Sequence, residues 1–258
     1  MRIRFNPMVL MAAAAISMTL PARADVSLTM HTTMQNATLD RAMASIGPAQ
    51  KKLMSDMLNS KISMSGKRYR MDNAIVSMIM DASTKQMTMF SNSKRTYCTV
   101  AANPDSMKAV MDRSGVKMPM DSSHYKVTDT GKTTLFHGHK CRHYIMTMTM
   151  TMPGAGTMTA HYDILAAQDM PGLDADVFQA MSLQMGIKGD QVKGVPLETI
   201  ATVTGGSTGS MTVKQEAIAI STDPIPSSTF DVPAGYQETS QADFFPAPPA
   251  MPAPPVQQ

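Results

Sequence analysis

From residue 25 onward most of the chain alternates polar and apolar residues with period two, the pattern of strands that bury one face. The alternation predicts strands over 25–35, 61–72, 74–82, 85–91, 94–101, 122–130, 133–137, 140–152, 157–166, 194–204 and 209–221. Three stretches read as helix instead. Residues 48–59 place Leu53, Met54, Met57 and Leu58 at helical spacing after Pro48; Asn103-Pro104-Asp105 opens a second helix running to Ser114; 173–186 puts Val177, Met181 and Met185 on one side before Gly186. Short turns between successive strands favour an antiparallel meander, because parallel strands need long crossovers. The expected fold is mainly β (α+β): a curved antiparallel sheet or half-open barrel with about three short helices packed on it.

The two ends depart from this pattern. Arg2 and Arg4 precede an apolar stretch from Met8 to Leu20, and Ala22-Arg23-Ala24 is an A-x-A cleavage site, so residues 1–24 read as a cleavable signal peptide. The apolar stretch is short of the roughly 20 residues a transmembrane helix needs, and no transmembrane segment is expected elsewhere. Residues 240–258 are rich in Pro and Ala, without periodicity, and read as a disordered or polyproline extension. A single domain over 25–239, working in the periplasm or secreted, is expected between them.

Charge then narrows the function. The whole chain carries 23 basic and 20 acidic residues, but three arginines and no acid lie in 1–24, so the remainder is balanced and nucleic-acid binding is not expected. Lys67-Arg68-Tyr69-Arg70 reads as a solvated strand edge. Cys98 and Cys141 would meet an oxidising compartment, where a thiol pair usually forms a disulfide.

Methionine is the unusual component. Of 29, 25 follow residue 24, and several recur every second residue: Met78 and Met80, Met87 and Met89, then Met146, Met148, Met150 and Met152. Period two puts each set on one face, with Thr147, Thr149 and Thr151 on the other. Four readings follow: a core in which Met replaces Leu, a partly open apolar pocket, a Cu(I) site built on thioethers, or an oxidant sink. His137, His139 and His143 alternate around Cys141, a spacing that can make a copper site unless Gly138 marks a turn.

Local strings for catalysis fail on context. Gly205-Gly206-Ser207-Thr208-Gly209 matches a nucleophile elbow, which needs a strand before the serine and a helix after it; here the pattern is strand on both sides, as in a hairpin turn. Asp163, Asp169, Asp174 and Asp176 lack EF-hand spacing. No enzyme is expected.

Three stretches together resemble a known group of exported proteins: Gly66-Lys67-Arg68-Tyr69-Arg70-Met71-Asp72, the segment from Gly131-Lys132 through Gly138 to Cys141-Arg142-His143-Tyr144, and Phe230-Asp231-Val232-Pro233-Ala234-Gly235-Tyr236. In that order they are similar to the domain-of-unknown-function family 4412 over residues 25–238. That family is similar in fold to periplasmic lipoprotein carriers of LolA type, and the resemblance implies an unclosed antiparallel barrel that holds acyl chains, with no catalytic residues. The expected function is a non-enzymatic protein binding a lipid or other apolar molecule on a Met-lined concave face formed by Met78, Met80, Met87, Met89 and Met146 to Met152. The alternative is a Met/His-rich copper-binding or oxidant-buffering envelope protein.

Overall fold

The computed structural model describes residues 25–36, 45–113, 124–152, 156–170, 191–205 and 210–245. Twelve strands form one open, curved sheet: β1 (Asp25–Gln35), β2 (Asn59–Ser65), β3 (Arg68–Asn73), β4 (Val76–Asp81), β5 (Gln86–Ser91), β6 (Thr96–Ala101), β7 (His124–Phe136), β8 (His139–Met152), β9 (Gly156–Ala167), β10 (Val195–Gly205), β11 (Met211–Ser221) and β12 (Gln237–Glu238). Their order is β12-β6-β5-β4-β3-β2-β1-β11-β10-β9-β8-β7. Two meanders, β1 to β6 and β7 to β11, are thus joined where the first strand pairs antiparallel with the eleventh. Among the described strands only the two-residue β12 runs parallel to its neighbour.

Turn chemistry accounts for the strand boundaries. The expected strand 61–72 is a hairpin, broken at Gly66, whose φ of +57° suits glycine. Asn73 and Asp81 accept backbone N–H bonds from residues two and three positions on, closing the turns that begin β4 and end it. The expected strands 122–130 and 133–137 are instead one strand, β7, whose register against β8 shifts between Asp129 and Thr133.

The helices differ from expectation. Helix α1 (Pro48–Met57) forms where expected, with the Gln50 side chain accepting from the Gly47 N–H, but it buries none of its residues, and Leu53 is 52 % exposed. It lies in the connection between β1 and β2, which are adjacent and antiparallel. Helix α2 (Pro104–Arg113) does contribute, through buried Val110. The third expected helix, 173–186, lies outside the described residues, as do the expected signal peptide and residues 246–258.

The C-terminal segment wraps the sheet. After β11 it crosses β1, where Ile225 N–H donates to Asp25 Oδ2 at 2.7 Å, and reaches β3 in a 3₁₀ turn at Ser227–Phe230. Arg70 chelates Asp72 with two N–H bonds of 2.8 Å and donates a third, of 2.7 Å, to the Thr229 carbonyl. Arg68 lies over the Phe230 ring at 4.6 Å, and Phe230 packs with Ile79 and Phe90, with Tyr236 edge-on to Phe90 at 5.7 Å. The basic run at 67–70 is therefore no solvated edge: β3 sits between β2 and β4, and two of its arginines hold the segment that covers it. Beyond, β12 lies along the edge of β6, and Ser240 caps a helical turn, α3 (Gln241–Phe244), whose Phe244 and neighbouring Phe245 pack against the main core. Residues 241–245, which the composition places in the tail, so belong to the packed structure.

Phe230 carries this clasp. Phe230→Ala should lower unfolding free energy by about 3 kcal/mol, the usual scale for emptying a buried phenylalanine site, and Arg70→Lys, which loses the bidentate pairing, by about 1–2 kcal/mol. Urea unfolding followed by circular dichroism measures both.

Candidate functional site

Strand register converts the methionine pattern into rows. Val26, Met64, Tyr69, Met80, Met87 and Val100 stand in register across β1 to β6, and beside them Leu28, Ile62, Met71, Met78, Met89 and Cys98. Directly opposed side chains on one face lie about 5 Å apart, close enough for continuous contact. Met78, Met80, Met87 and Met89 are all buried, Met80 being 2 % exposed, in the main core cluster with Val26, Leu28, Met30 and Met64. Burial in this layer pushes the Tyr69 phenol far up from its ordinary value.

The methionines of β8 do not extend this patch. Met146 is buried in a second cluster with Tyr144, Ile164 and Ala166, and Met148 is buried outside both; the side chains of Met150 and Met152 lie outside the described set. Register still relates them to the first patch. Met146 opposes Val127 and Tyr162, then Ala201, Val213 and Met34 follow in line; Met148 opposes Tyr125 and Ala160, then Val203 and Met211. These rows end on β1 at Met34, which shares its side of the strand with Met30 and Leu28. Register thus links the two methionine patches through β9, β10, β11 and β1, while beyond the bulge between Pro196 and Glu198 the main core also takes in Cys141, Ala167 and Leu165 from the other side of β8 and β9.

What lies between them is half open. Tyr162, Ala201, Val203, Met211 and Val213 are only partly buried and Met34 is 39 % exposed, so an apolar strip remains accessible between two packed patches. These residues are the ones that sequence reasoning missed. Their strands, with Ala, Val and Thr, alternate as clearly as the methionine strands, but nothing in a period-two pattern tells which part of a buried face is left uncovered.

The remaining candidates resolve differently. Cys98 and Cys141 are free and buried, not disulfide-bonded. They stand on β6 and β8 with eight strands between them in sheet order, and each serves as a small apolar side chain, opposite Met89 and Ala167 respectively. Burial, with the nearby Glu238 charge, pushes the Cys98 thiol up to about 11, and burial with Asp169 raises Cys141 as well. The histidines separate too. His137 and Gly138 both have positive φ and form the two-residue turn between β7 and β8, which takes His137 out of the alternation. His139 faces Asp169 at 3.2 Å, and His143 faces Asp163 and the Thr130 hydroxyl. The glycine-rich string at 205–209 is flanked by paired strands, Val203 opposite Met211, so no helix follows the serine as an elbow requires; residues 206–209 themselves lie outside the described set. Among the described residues no helix is long and apolar enough to cross a membrane.

Two of the three motif segments, Gly66 to Asp72 and Phe230 to Tyr236, meet in the clasp of Arg68 and Arg70 on the 3₁₀ turn. The chain matches, over residues 27–236, the family described as a domain of unknown function, DUF4412. It is a member of the DUF4412 family. No curated protein matches it in sequence. Among solved structures it is similar to a LolA superfamily protein from Nitrosomonas europaea, at 8 % identity and a TM-score of 0.32, over 82 % of this chain and 91 % of that one. It is also similar to a domain assigned as an outer-membrane lipoprotein-sorting protein from Vibrio parahaemolyticus, at 9 % identity and a TM-score of 0.28, over 81 % and 89 % of the two chains.

Three measurements check the packing of this face. Met80→Ala should destabilise by about 2–5 kcal/mol, whereas Met80→Leu, nearly volume-conserving, should cost less than about 1.5 kcal/mol. Native protein should leave both thiols unlabelled by a thiol reagent until denaturant is added. Because the folded Cys98 pKa lies above its ordinary value of 9.0, the stability from burying the neutral thiol is complete below pH 9 and lost as pH rises toward 11, so the urea midpoint should fall across that window and less so in Cys98→Ala.

Proposed function

We propose that this DUF4412 protein is a non-enzymatic, exported binding protein that takes a lipid acyl chain or similar apolar molecule on the strip between its two methionine patches. The observation that carries this reading is the combination of exposure and position: Tyr162, Ala201, Val203, Met211, Val213 and Met34 are apolar, half open and on the same sheet face as the packed methionines. A slender apolar occupant fits a strip four strands wide, roughly 15–20 Å at the usual inter-strand spacing. The methionines contribute as deformable walls. Unbranched, with a polarizable thioether, they change rotamer at little cost, so the patches can give way to chains of different length. Covering about ten methylenes at roughly 0.8 kcal/mol each would give about 8 kcal/mol before ordering costs, near a micromolar dissociation constant.

The oxidant-buffering alternative is disfavoured by position, since Met78, Met80, Met87, Met89, Met146 and Met148 are buried and so shielded from a diffusing oxidant. Export rests on the signal-like residues 1–24.

Native mass spectrometry of protein purified from its own envelope, and again after incubation with palmitate, tests the reading. One bound chain per protein is expected, and it should be lost in Ala201→Arg, which puts a cation in the middle of the strip while leaving the circular dichroism spectrum unchanged. Protein that never carries or takes up an apolar molecule, or an Ala201→Arg variant that binds as well as the parent, overturns it.

A further inference from the structure

The start of β1 carries a pair of buried polar groups that the rest of the fold does not satisfy. Asp25, the first residue of β1, is 4 % exposed, and Ser65, the last residue of β2, is 3 % exposed. Register sets them directly opposite each other, so both side chains stand on one face, with Cβ atoms about 5 Å apart. Asp25 Oδ2 accepts the 2.7 Å bond from Ile225 N–H that anchors the crossing C-terminal segment. Among the described residues nothing hydrogen-bonds its other oxygen, Oδ1, or the Ser65 hydroxyl, although both atoms are buried.

A buried carboxylate oxygen without a donor costs free energy, and native folds nearly always supply one. The charged side chains around this pair are turned elsewhere. Arg68 stands opposite Ser65 in register, but its guanidinium lies over the Phe230 ring and donates to the Ser227 carbonyl at 3.4 Å. Lys67, in the turn after Ser65, is exposed. The next position in the row is Asp81, which accepts from the Ser83 N–H of its own turn at 2.8 Å. Asp223, two residues beyond the Ser221 that pairs with Ser27, accepts from the Ser221 hydroxyl at 2.7 Å. Two of these four groups are further acids, so the surroundings of Asp25 favour a cation.

One more nitrogen lies at hand, that of Asp25 itself. It is the amide of the Ala24–Asp25 bond, where the A-x-A site expects cleavage. Hydrolysis adds one water across that bond: Ala24 leaves with a carboxylate, and Asp25 keeps an amine that is protonated at neutral pH, since α-amino groups titrate at about 7.7–8.0. An amide with one N–H thus becomes a cation with three donors and no acceptor, like a lysine ammonium. In gauche rotamers an Asp carboxylate lies within reach of its own backbone nitrogen, and Ser65 faces the same point across the ladder.

We propose that cutting between Ala24 and Asp25 completes the fold, the new α-ammonium being the donor for both Asp25 Oδ1 and the Ser65 hydroxyl. This inference rests on the reading of residues 1–24 as a removed leader and goes beyond it. Removal of the leader then does more than release the chain: it fastens the strand that joins the two meanders, at the point where β1, β2 and the C-terminal segment meet. The precursor, with an amide at this position, holds β1 more loosely than the mature protein does.

The intact mass of the exported protein reads its first residue, and Asp25 is expected. Chains beginning at Asp25 and at Ala24, released from the same cleavable fusion, are then unfolded in urea between about pH 6 and pH 10, a range that brackets the α-amino group. The two differ by one alanine, so histidines and thiols titrate alike in both. The unfolding equilibrium constant should be at least about tenfold smaller for the Asp25-first chain near neutral pH, as an α-amino pKa raised by one unit or more requires. Because the folded value is raised above the unfolded one, this stability is complete below about pH 7.7 and is lost as pH rises through the folded value, so the gap should close toward high pH. Asp25→Asn made in both chains should remove the gap, and Ser65→Ala should shrink it while both chains stay folded by circular dichroism. An exported protein that starts at another residue, equal midpoints for the two chains, or a gap that persists with Asp25→Asn overturns the proposal. An exported protein that keeps residues 1–24 removes the leader reading as well, whereas equal midpoints after correct cleavage sink this proposal alone and leave acyl-chain uptake untouched.

Discussion

The pairing of β1 with β11 is the constraint on which the remaining structure depends. Without it there are two meanders, each with a bare edge; with it there is one sheet in which a side chain's face follows from its position in register. Val26, Leu28 and Met30 on β1 are all buried and stand opposite residues of both meanders, Met64 and Ile62 on one side and Ile220 and Ala217 on the other. The extra residue on β11, Ile218, accommodated opposite the step from Thr29 to Met30, keeps Met30 opposite Ala217 while Leu28 opposes Ile220. A slip of one residue would carry every methionine of β2 to β5 to the opposite face, where the polar groups now stand, so register is strongly specified.

Building the inner face from methionine has a physical consequence that leucine would not have. Methionine fills irregular space and repacks readily, which makes a layer that is buried without being rigid. That suits a face whose two patches are packed while the strip between them is half open. The opposite face is specialised differently along its length. Over β3 to β5 it is closed by Phe230 and Tyr236. Over β8 to β11 it is polar beyond Cys141, Leu165 and Ala167, with His143 and Asp163 in contact and Lys214 bridging Glu198 at 3.0 Å and Glu216 at 2.7 Å. The two carboxylates raise the Lys214 pKa, Glu216 most.

The C-terminal segment explains how an open sheet of this size manages its β6 edge. It runs from the face of β3 at Phe230, along β6 as β12, to the inner core at Phe244 and Phe245. Gln237 N–H donates to the Arg95 carbonyl and Thr239 N–H to the Tyr97 carbonyl, so part of that edge's hydrogen-bonding capacity is used internally. Covering an edge in this way protects it from pairing with another chain. The segment Phe230 to Tyr236 is the middle of this wrap, with Phe230 under Arg68 of β3 and Tyr236 beside Arg95 at the start of β6.

Much of the fold was legible in the residues alone. Period two identified the strands from β1 to β11 to within a few residues, apart from a hairpin split at Gly66 and a bulged strand taken as two, and it assigned Met78, Met80, Met87 and Met89 to one face, because alternation is a local property of the extended chain. Tertiary structure alone decided the rest. Which strands of the face are covered, whether two cysteines on β6 and β8 meet, that α1 buries none of its residues, and that Asp163 stands beside His143 all depend on strand order and sheet curvature. Those are set by contacts between residues far apart in the chain, and no local pattern of side chains encodes them.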